Sequence, residues 1–157
     1  MKHLILMVVV LMAVISILLF QIISIYPLKC MAFSEYNLIR KGNRVIFNVS
    51  QDLRFYNEEN GQFNIKGEVE DEKLGEYSLD RKINLVKGKR IDNDTVEYKI
   101  GAVEKGEVDD TSENLYDILI SEFTSSQDSI QLDLIQLRSN VWVIGTSTSF
   151  VMTCYTY

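Results

Sequence analysis

Few residues in this sequence are of types that combine into a reaction centre. The single histidine is His3, at the edge of an N-terminal apolar run, and residues 29–157 contain none. A Ser-His-Asp or Cys-His nucleophile system therefore lacks its base. Zinc sites draw mainly on Cys and His, and two cysteines far apart, Cys30 and Cys154, do not supply the usual set. Neither a G-x-x-x-x-G-K-[ST] phosphate loop nor a G-x-G-x-x-G turn is present. Carboxylates are abundant and form three groups: Glu68, Glu70, Asp71 and Glu72; Asp92 and Asp94; and Glu104, Glu107, Asp109, Asp110 and Glu113. A glycosidase requires two carboxylates about 5–10 Å apart in a cleft, whereas acidic groups beside turns are ordinarily solvated. The spacing around Asp109 does not follow an EF-hand loop. The chain is read as non-catalytic, with no cofactor and no metal.

The cysteines carry more information. Cys30 follows the apolar run and Cys154 lies just before the C-terminus. In an oxidising compartment two cysteines are commonly paired, and a bridge over so long a loop is worth on the order of 4–5 kcal/mol in the chain-entropy account. Two free buried thiols and a bridge to a partner are the alternatives.

The elements that position these residues begin with the apolar run. From Leu4 to Phe20 the only polar side chain is Ser16, and the apolar character continues past Gln21 and Ser24 to Leu28. About 20 such residues span a bilayer's hydrocarbon core. A cleaved signal peptide has a shorter core and a small-x-small site, which Ser24–Cys30 does not offer. Bulky Leu28 and charged Lys29 also make a poor lipobox before Cys30. Lys2 and the amino terminus favour a cytoplasmic N-terminus, while Lys29, Arg40, Lys41 and Arg44 argue the other way. A folded domain translocates largely regardless of charge, so N-in, C-out is the expected orientation. From Lys29 onward 15 basic and 22 acidic residues give 15 − 22 = −7, which disfavours nucleic acid and anionic lipid headgroups. The expected organisation is a cytoplasmic tail (1–3), a transmembrane helix (4–28) and a periplasmic β-rich domain (29–157), in a bacterial inner membrane.

Past the anchor the hydrophobic period is two. Tyr77, Leu79, Ile83 and Leu85 alternate with Glu76, Ser78, Asp80, Lys82 and Asn84, with Arg81 on the apolar face. Val96, Tyr98, Ile100 and Ala102 repeat the pattern, as do Phe63, Ile65, Gly67 and Val69, and Val45, Phe47 and Val49. Asn60-Gly61 predicts a type I′ hairpin. Lys41-Gly42-Asn43, Lys87-Gly88-Lys89 and Lys105-Gly106-Glu107 are weaker turn signals, and Ser139-Asn140 links two late strands. The apolar phase slips between Leu134 and Ile135, which suggests a bulge. Thr148–Tyr157 reads as a last strand. Leu115, Ile118, Leu119 and Phe123 have helical spacing, predicting a helix over Asp110–Phe123 capped by Asp110, with Glu113 returning the bond. Val141-Trp142-Val143-Ile144 is apolar on both faces, so it is either buried on both sides or covered by another molecule. The fold class is mainly β: one N-terminal transmembrane helix, then an antiparallel barrel or curled sheet of about seven or eight strands with one short helix.

This layout resembles the FidL-like and MyfF/PsaF group of small inner-membrane regulatory proteins. The resemblance rests on the short tail, the anchor Leu4–Leu28, Cys30 directly after it, and a β-rich domain ending in Cys154 and aromatics. Met12–Gln21, reading MAVISILLFQ, is similar to the MyfF branch. The resemblance implies an accessory protein that binds and stabilises a membrane-bound winged-helix transcription activator of the MyfE/PsaE type, promoting fimbrial gene expression. More distantly the layout is similar to ToxS and VtrC, and the latter implies a lipocalin-like barrel. The alternative function is thus a lipocalin-like periplasmic receptor for a small apolar ligand such as a bile salt. A hollow interior would favour the receptor; an apolar patch or free edge outside a filled core would favour the companion. Without histidine, any acid response must come from carboxylates, so no cooperative change is expected between pH 7 and 6.

Overall fold

The computed structural model describes the backbone of residues 2–23, 26–40, 42–126, 128–147 and 149–157, and within these the side chains except those of 2–4, 17–23 and 125. Ser24, Lys41 and Thr148, used above for the apolar run, a turn and the last strand, lie outside the described residues, as do the side chains of Lys2 and His3. Helix α1 (Lys2–Ile23) is followed by β1 (Leu28–Arg40), β2 (Asn43–Phe55), β3 (Gly61–Asp71), β4 (Gly75–Arg90) and β5 (Thr95–Lys105). Helix α2 (Glu113–Ile120), β6 (Thr124–Ser126), β7 (Ser129–Arg138), β8 (Val141–Gly145) and β9 (Phe150–Thr156) complete the chain.

The α1 helix ends before the apolar run does. Tyr26 packs edge-on against Phe55 at 6.3 Å, and Leu28 is already a core residue of β1, 4% exposed. A single helix over 4–28 is therefore corrected: its last residues belong to the barrel, whose core gains more from Leu28 than a helix end would. Among the described residues no helix is long and apolar enough to cross a membrane.

The strands pair in the order β5-β4-β3-β2-β1-β9-β8-β7-β6, and β5 also pairs with β7. That last pairing, Thr95↔Asp133 to Lys99↔Ser129, closes eight strands into an antiparallel barrel. Short β6 pairs with β7 outside the closure. Period-two alternation sends one face of every strand inward. Phe47, Phe55, Ile65, Val69, Ile83, Val96, Tyr98 and Ile130 have no accessible surface. Each such side chain contributes about 1.5–3 kcal/mol of burial. Phe55 stacks on Tyr98 at 5.0 Å, and Phe63 meets Phe123 edge-on at 5.2 Å.

Several turn assignments change. Asn60-Gly61 is not a type I′ turn. Phe55 pairs directly with Gly61, and the loop between them is closed by Asn57, whose Oδ1 accepts from the amides of Glu59 and Asn60. Gly61 is needed for close approach, because a Cβ there would sit 2.7 Å from the Arg54 carbonyl oxygen. The tight hairpin is at Gly42 instead, with φ +72 and Arg40 paired to Asn43. Lys87-Gly88-Lys89 is no turn but a bulge inside β4, with Lys87 at φ 52 and the ladder to β5 shifting between Val86 and Lys89. The irregularity in β7 falls at Gln136–Arg138, after the Leu134/Ile135 phase slip. Helix α2 starts at Glu113 with Ser112 as its cap, not at Asp110.

Candidate functional site

Two regions collect the residues that the sequence marked out. The first is at the end of the barrel where α2 lies. Arg81 points inward as its phase in β4 requires, and only 3% of it is exposed. Its Nε donates to Asp109 Oδ2 at 2.7 Å, and its Nη atoms donate to the Glu113 carboxylate at 2.9 and 3.1 Å. Its guanidinium also lies 4.7 Å from the centre of the Tyr116 ring. Asp109 Oδ2 further accepts from the amide of Asp80, and its Oδ1 from that of Thr111. Asp110 Oδ1 accepts from the amide of Ser78 at 2.6 Å. These two acids are not free in a solvated loop, nor do they cap α2: they fasten the β5–α2 connection to β4. Glu113, expected to return a capping bond, is spent on Arg81, which holds its carboxyl below the usual range. Burial pushes the Tyr116 hydroxyl up to about 12. Arg81, Asp109, Asp110 and Glu113 are each matched by a partner of opposite polarity, so the arrangement acts as a clamp. It holds Leu115, Leu119 and Phe123 in the barrel's end.

The remaining acids are dispersed. Burial alone would raise Asp71, but the Lys73 and Leu74 amides and the Asn43 side chain hold it low. Asp92 is lowered chiefly by the amide of Asp94 and by Thr95. Glu68, Glu70 and Glu72 are on the outer side of β3 and the turn after it.

The second region is the wall formed by β7, β8, β9 and β1. Cys30 and Cys154 form a disulfide there, with Cα atoms 5.4 Å apart and both residues fully buried. It joins strands whose ladder contains only Cys30↔Thr156 and Met31↔Tyr155. The Val141–Ile144 run splits by face. Ile144 (0% exposed) and Trp142 (9%) are in the core, while Val141 and Val143 point outward and are half-buried. Around them lies an apolar outer surface. Ile135 pairs with Val143, and Val141 pairs with Tyr155, which pairs with Met31. Leu137, Phe33 and Phe150 extend it, and all three are well exposed. Sequence reasoning found β8 but missed the rest of this surface, because Phe33, Phe150 and Tyr155 come from strands far apart in the chain. The signal was the outward phase of Ile135 and Leu137 against inward Leu132 and Leu134.

Among the described residues the interior is filled. A residue with no accessible surface borders no void large enough for water, and such residues line the barrel from Cys30 and Phe47 to Ile130 and Ile144. One open space on the outer face is a shallow groove of about 520 Å³ between Phe33, Ser50, Gly67 and their neighbours.

A family model described as "FidL-like putative membrane protein" matches residues 67–154. No curated protein matches the chain. The match runs from the middle of β3 to Cys154 and takes in the clamp, β8 and most of β9. With more than half of its 157 residues covered, the chain belongs to the FidL-like family of membrane proteins.

Proposed function

We propose that this is a non-catalytic, single-pass inner-membrane protein whose barrel, in the periplasm, binds and stabilises a membrane-bound winged-helix transcription activator. The activators meant are those of the MyfE/PsaE type that drive fimbrial genes. The observation that carries this reading is an apolar outer wall over a filled core. Monomeric soluble domains rarely leave contiguous apolar surface uncovered, and such surface marks contact with another macromolecule. The filled interior supports this reading over a chamber for a bile salt. A 22-residue α1 is about 33 Å long, enough for the hydrocarbon core, and its sequence carries no acidic residue. The disulfide supports an oxidising compartment for the barrel.

The companion acts by mass action: binding the folded activator, and not its unfolded form, lowers the unfolded fraction open to proteolysis. The test is the half-life of a MyfE/PsaE-type activator in membranes with and without this chain. The reading requires a shorter half-life in its absence. An unchanged half-life together with unchanged fimbrial transcription would refute it.

A further inference from the structure

We infer that one rim of the barrel, made by the β7–β8 turn and the β9–β1 junction, is seated in the headgroup region of the bilayer. The inference rests on the reading of α1 as a membrane anchor. It begins from chain length. The α1 backbone is helical to Ile23, and from Tyr26 the chain is fixed to the barrel, with Tyr26 against Phe55 and within hydrogen-bond reach of the Tyr98 hydroxyl at 3.4 Å. Three residue steps separate Ile23 from Tyr26, and at ~3.5 Å each they reach about 10 Å. With α1 in the bilayer, the end of the barrel that receives Tyr26 has no room to stand clear of the surface.

The strand directions say which residues share that end. β1 starts there at Leu28 and β2 ends there at Phe55, its ladder partner. β9 arrives at Tyr155 and Thr156, opposite Met31 and Cys30. The β7–β8 turn is tied to the same place by the Thr156 amide, which donates to the Asn140 carbonyl at 3.0 Å. The exposed side chains at this point include Leu137 (60%), Tyr155 (59%) and Tyr157 (63%), beside outward-facing Val141 and Met31 and among the polar Gln136, Ser139 and Asn140; the Tyr157 hydroxyl donates to Asp52 at 2.7 Å. Tyrosine, with an apolar ring and a polar tip, is favoured at membrane interfaces. Lys29 and Arg138 are exposed at the same rim, where long basic side chains lay apolar stems on the interface and reach phosphate.

The charge distribution sets the tilt. Glu58 and Glu59 lie on the β2–β3 loop of the same end, away from the β7–β8 turn, while Asp92 and Asp94 on the β4–β5 loop adjoin β7 at Asp133 and Ile135. Glu72, Glu107 and Asp110 lie on connections at the opposite end, and Glu76 at the start of β4 beside them. The barrel therefore leans on the β7–β8 turn and the end of β9, held by aromatic and aliphatic contact and not by net charge, which opposes anionic lipid.

Tryptophan quenching in liposomes containing brominated lipids tests this with the full chain. Single variants L137W, Y155W, V108W and L11W are compared with the parent, whose Trp142 is common to all. Bromine is placed either high or low on the acyl chain, and near-UV circular dichroism confirms the fold. The expected result is that emission added by L137W and Y155W is largely lost with high bromine. Emission added by V108W, at the far end and 69% exposed, survives both lipids. L11W, in α1, is quenched by low bromine. Equal protection of L137W, Y155W and V108W alongside a quenched L11W would overturn the seating alone; an unquenched L11W would overturn both it and the anchor.

Discussion

The barrel wall has one kind of inside and two kinds of outside. Across β2, β3 and β4 the outward rows are polar: Ser50, Lys66 and Asp80 in one, Asp52, Asn64 and Lys82 in the next. They are joined by Lys66–Asp80 at 2.9 Å, while Lys82 reaches Glu104 at 2.6 Å. Across β7, β8, β9 and β1 the outward rows are Ile135–Val143–Thr153 and Val141–Tyr155–Met31. Both halves bury the same kind of core, so fold stability does not demand the difference. Water is the sufficient partner for one half; the other presents a surface whose cost in water is removed only by contact with another molecule.

The largest effect should come from cutting the covalent tie on the apolar side. The β1–β9 ladder is short, and the disulfide closes a separation of 124 residues. Replacing Cys30 and Cys154 by alanine should cost on the order of 4–5 kcal/mol in urea unfolding. A loss below about 1 kcal/mol would show that the seam holds by packing alone.

Next is Arg81. R81M removes the guanidinium that donates to Asp109, whose side chain is fully buried and keeps only Lys105 Nζ at 3.5 Å as a cation, and should cost about 3–5 kcal/mol. D109N in the same background should recover part of that loss, since it removes the uncompensated charge. No recovery would mean that packing against Tyr116, rather than charge, is what Arg81 supplies.

Smaller effects separate the two outer faces. K66A breaks an exposed pair on the polar side and should cost only about 0.2–1 kcal/mol. V143D should be similarly mild in the isolated protein, below about 1 kcal/mol, because Val143 faces outward. A severe loss from V143D would mean that the apolar wall is structural.

The smallest expected effect is that of mild acid. Asp52, Asp71, Asp92, Glu104, Glu113 and Asp128 are all held below their ordinary values. A carboxyl lowered in the fold contributes stability that is complete above its unfolded pKa, near 4, and is lost as pH falls through the folded value. Stability should therefore be flat from pH 7 to 6 and fall below about pH 4. Near-UV circular dichroism and Trp142 fluorescence report it; a reversible transition centred near pH 6.5 would require an acid raised by its surroundings.

Strand content was legible because period-two alternation survives wherever one face is buried and the other wet. Even Arg81 was placed on the inward face, though a charge there looked like a defect until Asp109 and Glu113 came to it from the β5–α2 connection and α2. Turns were less legible. Asn60-Gly61 and Lys87-Gly88 carry the right residues for hairpins, yet both glycines serve close backbone approach, which depends on a neighbouring strand. Asp109 and Asp110 looked like solvated acids because their partners, the amides of Ser78 and Asp80, lie about thirty residues earlier. The apolar wall was the least visible, since its residues meet only after closure.

The central claim is that the Ile135–Val143 row of this wall, beyond the rim, binds the activator. Tagged full-length protein, co-expressed with a membrane-bound winged-helix activator of the MyfE/PsaE type and purified from membranes, tests it through I135D/V143D on the apolar side and N48D on the polar side. The account predicts that the activator co-purifies with the parent and N48D and is lost with I135D/V143D, while all three retain a folded barrel. Undiminished activator with I135D/V143D would contradict it.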